Sequence, residues 1–133
     1  MKMSQAEEPR VLQKKSFSMF FGGGEIWFEH LDSLQDRTDL ALAKLGGDSL
    51  QFLRPSAPSL IAVNLDETRL TAALTAALQK YLLQTGKRFA RVVVVGLGLV
   101  PRIRLKRALA GAPFVLGFTN DFEQAKEWLV QEQ

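Results

Sequence analysis

Two threonines at the expected start of a helix are the first residues in this chain that could carry regulatory chemistry. Thr68 and Thr71 follow the acidic pair Asp66-Glu67 and precede a helical stripe of apolar residues. A helix N-terminus offers free backbone N–H groups and the positive end of a dipole, so it accommodates a phosphate group well. Thr68 and Thr71 are therefore candidate phosphorylation sites. The structural alternative is that Thr68 caps the helix and Thr71 is an ordinary residue of its first turn.

A basic segment supplies the second candidate site. No Asp or Glu occurs from residue 86 to residue 120, where the basic residues are Lys87, Arg88, Arg91, Arg102, Arg104, Lys106 and Arg107. Such a cluster attracts anions by long-range steering and by direct contact. We expect the last four of these residues to contact a small anion, an acidic protein or nucleic acid. Nucleic acid is the least favoured of the three, because no aromatic residues interleave with the basic ones. The structural alternative is a solvated helix face.

Few other residues could do catalytic or metal chemistry. The chain has no cysteine, which excludes disulfides, thiolate nucleophiles and thiolate metal sites and fits a reducing, cytoplasmic setting. His30 is the only histidine, so a Ser/His/Asp triad or a His-based metal site would have to include it. Its neighbours Glu29 and Asp32 are common residue types. We predict no catalytic residue, no metal ligand and a surface or half-buried position for His30.

A glycine-containing turn falls short of a cofactor motif. Gly96-Leu97-Gly98 follows a strand-like run and precedes a helix-like run, as a dinucleotide-binding loop does. The third glycine is missing, Pro101 follows closely, and no acidic residue lies in the right place about 20 residues further on. We predict a tight turn and no cofactor, while noting that open α/β sheets bind ligands at the ends of their strands.

The elements that would position these residues alternate regularly from residue 59 onward. Apolar runs at 59–65, 91–95 and 114–118 predict three strands, each followed by a predicted helix. Thr119 or Asn120 is expected to cap the last helix. Continuous apolar strands of this kind are typical of a parallel sheet that is covered on both faces.

The earlier part of the chain predicts a β-hairpin. Aromatic-rich runs at 16–21 and 25–30 flank Gly22-Gly23-Gly24, and glycine permits a tight reversal. Trp27 and Phe28 are expected to line an exposed apolar patch, which would be a candidate homodimer interface.

A short helix should follow the hairpin. Thr38 is expected to cap it, and Gly46-Gly47 to end it in the left-handed conformation. Residues 50–53 are predicted to be extended. Residues 1–13 mix charged residues, Gln and Pro without periodicity, and they are predicted to form a disordered tail.

These elements together predict one α/β domain at residues 14–133. It has a leading β-hairpin followed by βαβαβα, in a mostly parallel mixed sheet flanked by helices. The length of 133 residues suits a single domain, and 47% hydrophobic residues supply its core. The longest apolar run, at 92–101, is much shorter than the ~20 residues that a membrane-spanning helix needs. We expect no membrane segment and no export signal, since the first residues are polar.

Two segments and the order of the elements resemble a known family. They are the strand Arg91-Val92-Val93-Val94-Val95-Gly96 and the closing segment from Phe118 to Leu129, which contains Asp121-Phe122-Glu123-Gln124-Ala125. With the leading hairpin and the βαβαβα order, they resemble the STAS superfamily, particularly its members similar to anti-sigma-factor antagonists. The resemblance covers roughly residues 16–130.

Most members of this superfamily are non-catalytic and bind partner proteins or small ligands, and the resemblance implies the same for this domain. Many members are switched by phosphorylation of a Ser or Thr where the second βα loop enters its helix. The matching segment of this chain, residues 65–71, is Leu-Asp-Glu-Thr-Arg-Leu-Thr, without the Asp-Ser-Ser-Gly of the phosphorylated members. Thr68 or Thr71 would have to take the place of the serine.

The function expected from the sequence is regulation or protein interaction without catalysis, modulated by phosphorylation at Thr68 or Thr71. A protein partner is expected, and a homodimer is a further candidate assembly. The alternative is a small anionic-ligand or nucleic-acid binding protein that uses the basic cluster at 87–107.

Overall fold

The computed structural model describes residues 14–50, 58–83 and 89–131. Its elements, in chain order, are β1 (Phe17–Phe21), β2 (Gly24–His30), α1 (Thr38–Asp48), β3 (Leu60–Asn64), α2 (Ala72–Leu82), β4 (Arg91–Val95), α3 (Leu99–Ala108), β5 (Val115–Thr119) and α4 (Phe122–Leu129). The tail predicted at 1–13 lies outside the described residues. So does the extended segment predicted at 50–53, apart from Leu50, which lies in a short helical turn.

The five strands form one mixed sheet in the order β1-β2-β3-β4-β5. β1 and β2 are antiparallel, and every later pair is parallel. Gly22 and Gly23 make the turn between β1 and β2, with φ angles of 57° and 91° that glycine adopts without strain. The predicted fold, a leading hairpin followed by βαβαβα in a mostly parallel mixed sheet, is confirmed.

Helices cover both faces of the sheet, three on one face and one on the other. Helices α1, α2 and α3 pack on the face that carries Trp27, Ile61 and Val92. Helix α4 packs through Ala125 and Leu129 on the opposite face. Right-handed crossovers that advance in one direction across a sheet place their helices on the same face, which explains this division. β3 and β4 are covered on both sides, and for this reason their sequences are almost wholly apolar.

The expected exposed patch at Trp27 and Phe28 is wrong. Trp27 is 5% exposed and Phe28 is 1% exposed, and they lie in the two separate cores on opposite faces of β2. β2 is an interior strand, and the side chains on its two faces are covered by these two cores. The exposed aromatic residues of the hairpin are instead on the edge strand β1, where Phe20 is 75% exposed.

Two helices, α1 and α4, also have boundaries that differ from the prediction. Helix α1 has Arg37 as its N-cap residue, contains Thr38 as its first residue, and continues through Gly46 and Gly47 to Asp48. The two glycines have helical rather than left-handed conformations, because the packing of α1 on the sheet outweighs their low helix propensity. Helix α4 is capped by Asp121 rather than by Thr119 or Asn120, since the Asp121 carboxylate accepts hydrogen bonds from the backbone N–H groups of Glu123 and Gln124.

The turn from β4 into α3 is tight, as predicted. Gly96 has a φ angle of +94°, and a Cβ atom built on it would lie 2.6 Å from the Asp66 Cα. The backbone of the β3–α2 loop therefore passes directly against Gly96. Only glycine fits there, both because of its φ angle and because of this close approach.

Replacement of Gly96 by alanine should destabilise the fold by about 2 kcal/mol or more, through backbone strain and the clash with Asp66. Gly46→Ala is the matched control. It lies in α1 with no atom within 4 Å of the new Cβ, so it should stabilise the protein by about 0.5–1 kcal/mol. Urea denaturation followed by circular dichroism measures both. A destabilising Gly46→Ala would mean that α1 ends before residue 46.

Candidate functional site

A cavity lies where the loops after β3 and β4 meet the first turns of α2 and α3. We call it the loop cavity. Its volume is about 610 Å³, and it is lined by Thr68, Arg69, Leu70, Thr71, Ala72, Gly96, Leu97, Gly98, Val100, Pro101 and Arg104. The carboxyl ends of neighbouring parallel strands lie at the same edge of the sheet, which is where open α/β domains bind ligands and partners. The fold thus brings both candidate threonines and one candidate arginine to one place.

Thr71 is the N-cap residue of α2. Its backbone is extended, and its hydroxyl accepts a hydrogen bond from the Leu74 N–H at 3.2 Å. The same hydroxyl lies 3.1 Å from the Thr38 hydroxyl at the start of α1. Thr71 is half-buried and lines the loop cavity, so a phosphate group attached to it would have room there.

Thr68 instead ties the β3–α2 loop to the segment after β2. Its hydroxyl donates to the Leu31 carbonyl at 2.5 Å and accepts from the Leu34 N–H at 2.9 Å. Its backbone pairs with Gln35 in an isolated parallel bridge. The prediction that Thr68 caps α2 is wrong, because these long-range contacts take both hydrogen-bonding roles of its hydroxyl. Of the two candidates, Thr71 is the better placed for modification.

Two of the candidate basic residues point in different directions. The Arg104 guanidinium donates to the Leu70 carbonyl at 2.7 Å and lines the loop cavity. The Arg102 guanidinium lies on another side of α3, where it donates to the Leu97 carbonyl at 2.9 Å and to the Asn120 side chain at 3.1 Å. Arg102 therefore links the end of β4 to the loop after β5. Of these two arginines, Arg104 is the one that lines the cavity.

Helix α3 exposes large apolar side chains beside the loop cavity. Leu99, Val100 and Ile103 are 74%, 65% and 45% exposed, and their spacing places them on one side of the helix. We call these three residues the α3 surface. Lys106 and Arg107, both exposed, follow in the last turn, where their charge also complements the helix dipole.

His30 is half-buried, within the range predicted for it. Its Nδ1 lies 3.0 Å from the Asp32 carboxylate. Its ring stacks against those of Phe17 and Phe122, with centroid distances of 5.7 Å and 5.9 Å. In the described part of the chain, no group of three or more His, Cys, Asp or Glu side chains could hold a metal ion.

A buried polar cluster around Glu29 was missed at the level of sequence. Glu29 Oε1 accepts hydrogen bonds from Trp27 Nε1 at 2.8 Å and from the Tyr81 hydroxyl at 2.7 Å. Its Oε2 accepts one from the Ser16 hydroxyl at 3.2 Å and lies 3.9 Å from Lys44 Nζ. Lys44 Nζ in turn is 3.2 Å from the Asp48 carboxylate, one turn further along α1. We call Ser16, Glu29, Lys44, Asp48 and Tyr81 the Glu29 cluster.

The environment of this cluster changes the acidity of its carboxyl groups. Burial, followed by hydrogen bonding with Asp48, raises the pKa of Glu29 to about 8, although the hydrogen bonds from Trp27 and Tyr81 act to lower it. Burial acts to raise the pKa of Asp48 as well, but hydrogen bonding from Glu29 and the charge of Lys44 bring it below its usual value. Near neutral pH, Glu29 is therefore mostly protonated and Asp48 is ionised.

One signal in the sequence could have pointed to Glu29. In β2, residues alternate between the two faces of the sheet, so Glu29 shares the face of Trp27, which belongs to the larger core. A charged residue in phase with a core position is rare unless it is paired. Its partners could not be inferred in the same way, because Lys44 and Tyr81 come from helices that are distant along the chain.

Comparison with protein-family models, curated proteins and solved structures gave no significant match for this chain. The resemblance to the STAS superfamily therefore stays a prediction. No helix in the described ranges is long and apolar enough to cross a membrane.

Thr68→Val should destabilise the fold by about 1–3 kcal/mol, because it leaves the Leu34 N–H and the Leu31 carbonyl without their partner. Thr71→Ala should cost about 1 kcal/mol through loss of the N-cap, whereas Thr71→Ser should cost almost nothing. Chemical denaturation measures all three. A Thr68→Val variant with an unchanged free energy of unfolding would contradict the structural role assigned to this hydroxyl.

Proposed function

We propose that this chain is a non-catalytic regulatory module of the STAS-like kind that binds a protein partner through the α3 surface. The observation that carries the proposal is the exposure of Leu99, Val100 and Ile103 on one side of α3. Single exposed apolar residues are common, but adjoining large ones are typical of a contact surface. Their burial by a partner would remove from water the apolar area that folding leaves uncovered.

The charges around the α3 surface favour an acidic partner. Arg104, Lys106 and Arg107 lie on the same helix, and no Asp or Glu occurs between residues 86 and 120. Protein interfaces commonly combine an apolar centre with a charged rim that speeds association and selects the partner. The partner surface that fits is apolar at its centre and carries carboxylates at its edge.

Thr71 provides a switch for this contact. Phosphorylation would add almost two negative charges at the start of α2, in the cavity that Arg104 and Val100 also line. The favourable dipole of α2 and the nearby guanidinium would stabilise the phosphate. The charge at the rim of the α3 surface would then be reduced, and binding of an acidic partner would weaken.

The burial of Glu29 favours binding over catalysis. Glu29 is the carboxyl group with a pKa raised to about 8, but its side chain has no exposed surface. A general acid or base must come within hydrogen-bonding distance of its substrate. Glu29 meets the requirement of pKa and not that of access.

Partner capture with matched variants tests the proposal. Leu99→Gln combined with Ile103→Gln should reduce recovery of the specific partner at least about tenfold, because it removes the apolar centre while keeping helix propensity. Leu42→Gln combined with Leu83→Gln is the control, since both are exposed leucines outside the α3 surface, with Leu42 on α1 and Leu83 just after the end of α2. Quantitative mass spectrometry of the captured proteins, followed by calorimetry with the purified partner, gives both recoveries.

Two outcomes would count against the proposal. If both double variants bind the purified partner as the unmodified protein does, α3 is not the contact surface. If Thr71→Asp binds as tightly as Thr71→Ser, a negative charge at the start of α2 does not control the contact. Asp is itself a good N-cap residue, so this comparison separates the effect of charge from loss of the helix cap.

The loop cavity favours one second candidate, the binding of a small anion. Two helices, α2 and α3, begin at the cavity, and the Arg104 guanidinium borders it. This geometry suits a phosphate-sized group better than a nucleic acid, because Arg102 is turned away and bonded to Leu97 and Asn120.

Thermal unfolding distinguishes the anion binder from the protein-binding module. Phosphate raises the Tm of folded proteins in general, because it is excluded from their surface. If the α3 surface is the functional contact, exchange of chloride for phosphate at matched ionic strength should therefore raise the Tm equally in the unmodified protein and in Arg104→Gln. A larger rise in the unmodified protein than in Arg104→Gln would support the anion binder instead. Arg107→Gln is the control, because it removes the same charge from the same helix outside the cavity.

A further inference from the structure

The Glu29 cluster joins four parts of the chain at one buried point. Lys44 and Asp48 come from α1, Tyr81 comes from α2, and Glu29 itself belongs to β2. Ser16, just before β1, accepts hydrogen bonds from Lys44 Nζ at 2.5 Å and from the His30 backbone N–H at 3.0 Å. Because Lys44 of α1 contacts both Glu29 of β2 and Ser16 before β1, the cluster helps to hold α1 against the sheet.

The charges of the cluster balance when its two carboxyl groups hold one proton between them. Lys44 carries one positive charge, and Asp48 carries one negative charge. When Glu29 is protonated the cluster is neutral, and its carboxyl proton can be shared with Asp48. When Glu29 is ionised, two carboxylates face one ammonium group at a place where Glu29 is fully buried and Lys44 is only 11% exposed. A buried charge without a full partner is strongly unfavourable.

We propose that Glu29, Lys44 and Asp48 form a proton-dependent latch that holds α1 against the sheet while Glu29 is protonated and loosens α1 when Glu29 ionises. The groups that face the Glu29 carboxyl are Trp27 from its own strand, the Ser16 hydroxyl, Lys44 and Asp48 from α1, and Tyr81 from α2. Tyr81 does not titrate in the pH range of this change. Burial raises the pKa of its phenol, so its hydroxyl stays protonated and remains a hydrogen-bond donor.

The direction of the pH effect follows from proton linkage. The pKa of Glu29 is raised from 4.5 to about 8, so over that interval the closed latch keeps a proton that the open form has released. Rising pH therefore favours opening, by about tenfold in the opening constant per pH unit. The effect levels off above the raised pKa, where both forms are ionised.

Hydrogen exchange of the full chain tests the latch. We compare backbone protection factors of α1 with those of α4, which packs on the opposite face of the sheet and serves as an internal reference. The ratio of α1 to α4 protection should fall about tenfold per pH unit from roughly pH 5.5 to 7.5 and level off near pH 8. In Glu29→Gln, which resembles the protonated carboxyl in shape, the ratio should not change with pH.

A second variant keeps the test decisive if Glu29→Gln does not fold. The Tyr81 hydroxyl lowers the pKa of Glu29 by its hydrogen bond, so Tyr81→Phe should move the levelling-off point to higher pH. A constant ratio of α1 to α4 protection in the unmodified protein would overturn the latch. An equal pH dependence in the unmodified protein and in Glu29→Gln would overturn it as well, because another group would then be titrating.

Discussion

The covering of β3 and β4 on both faces is the constraint on which the rest of the structure depends. Their side chains alternate between two cores, one under α1, α2 and α3 and the other under α4. Parallel pairing then brings the ends of both strands to one edge, where the Asp66 backbone passes against Gly96. The loop cavity and the α3 surface exist because these two strands are adjacent and aligned.

Helix α1 connects the two polar regions of the molecule. Its first residue, Thr38, contacts the hydroxyl of Thr71, and Lys44 and Asp48 reach the buried Glu29. Of the apolar residues of α1, only Ala41 and Leu45 are buried. The position of α1 therefore depends more on polar contacts than does the position of α2, which buries five side chains.

Much of the fold was predictable because its signals are local. The apolar runs at 91–95 and 114–118 and the glycines at 22–24 identify strands and a turn without knowledge of their neighbours. Helix ends were less predictable. Thr68 has the residue type of a helix cap, but its hydroxyl bonds Leu31 and Leu34, which are 37 and 34 positions away. Thr71 takes the capping position that Thr68 leaves.

By itself, the sequence determined the α/β class, the hairpin, the strand order along the chain and the two threonines and basic residues worth testing. These depend on residue type and spacing, which act over a few positions. Only the tertiary structure decided that Arg104 joins Thr71 while Arg102 does not, that Trp27 and Phe28 are buried on opposite faces, and that Glu29 meets Lys44 and Tyr81. Those contacts join residues far apart in the chain, and they form because burying the apolar faces of β2, β3 and β4 sets where each helix lies.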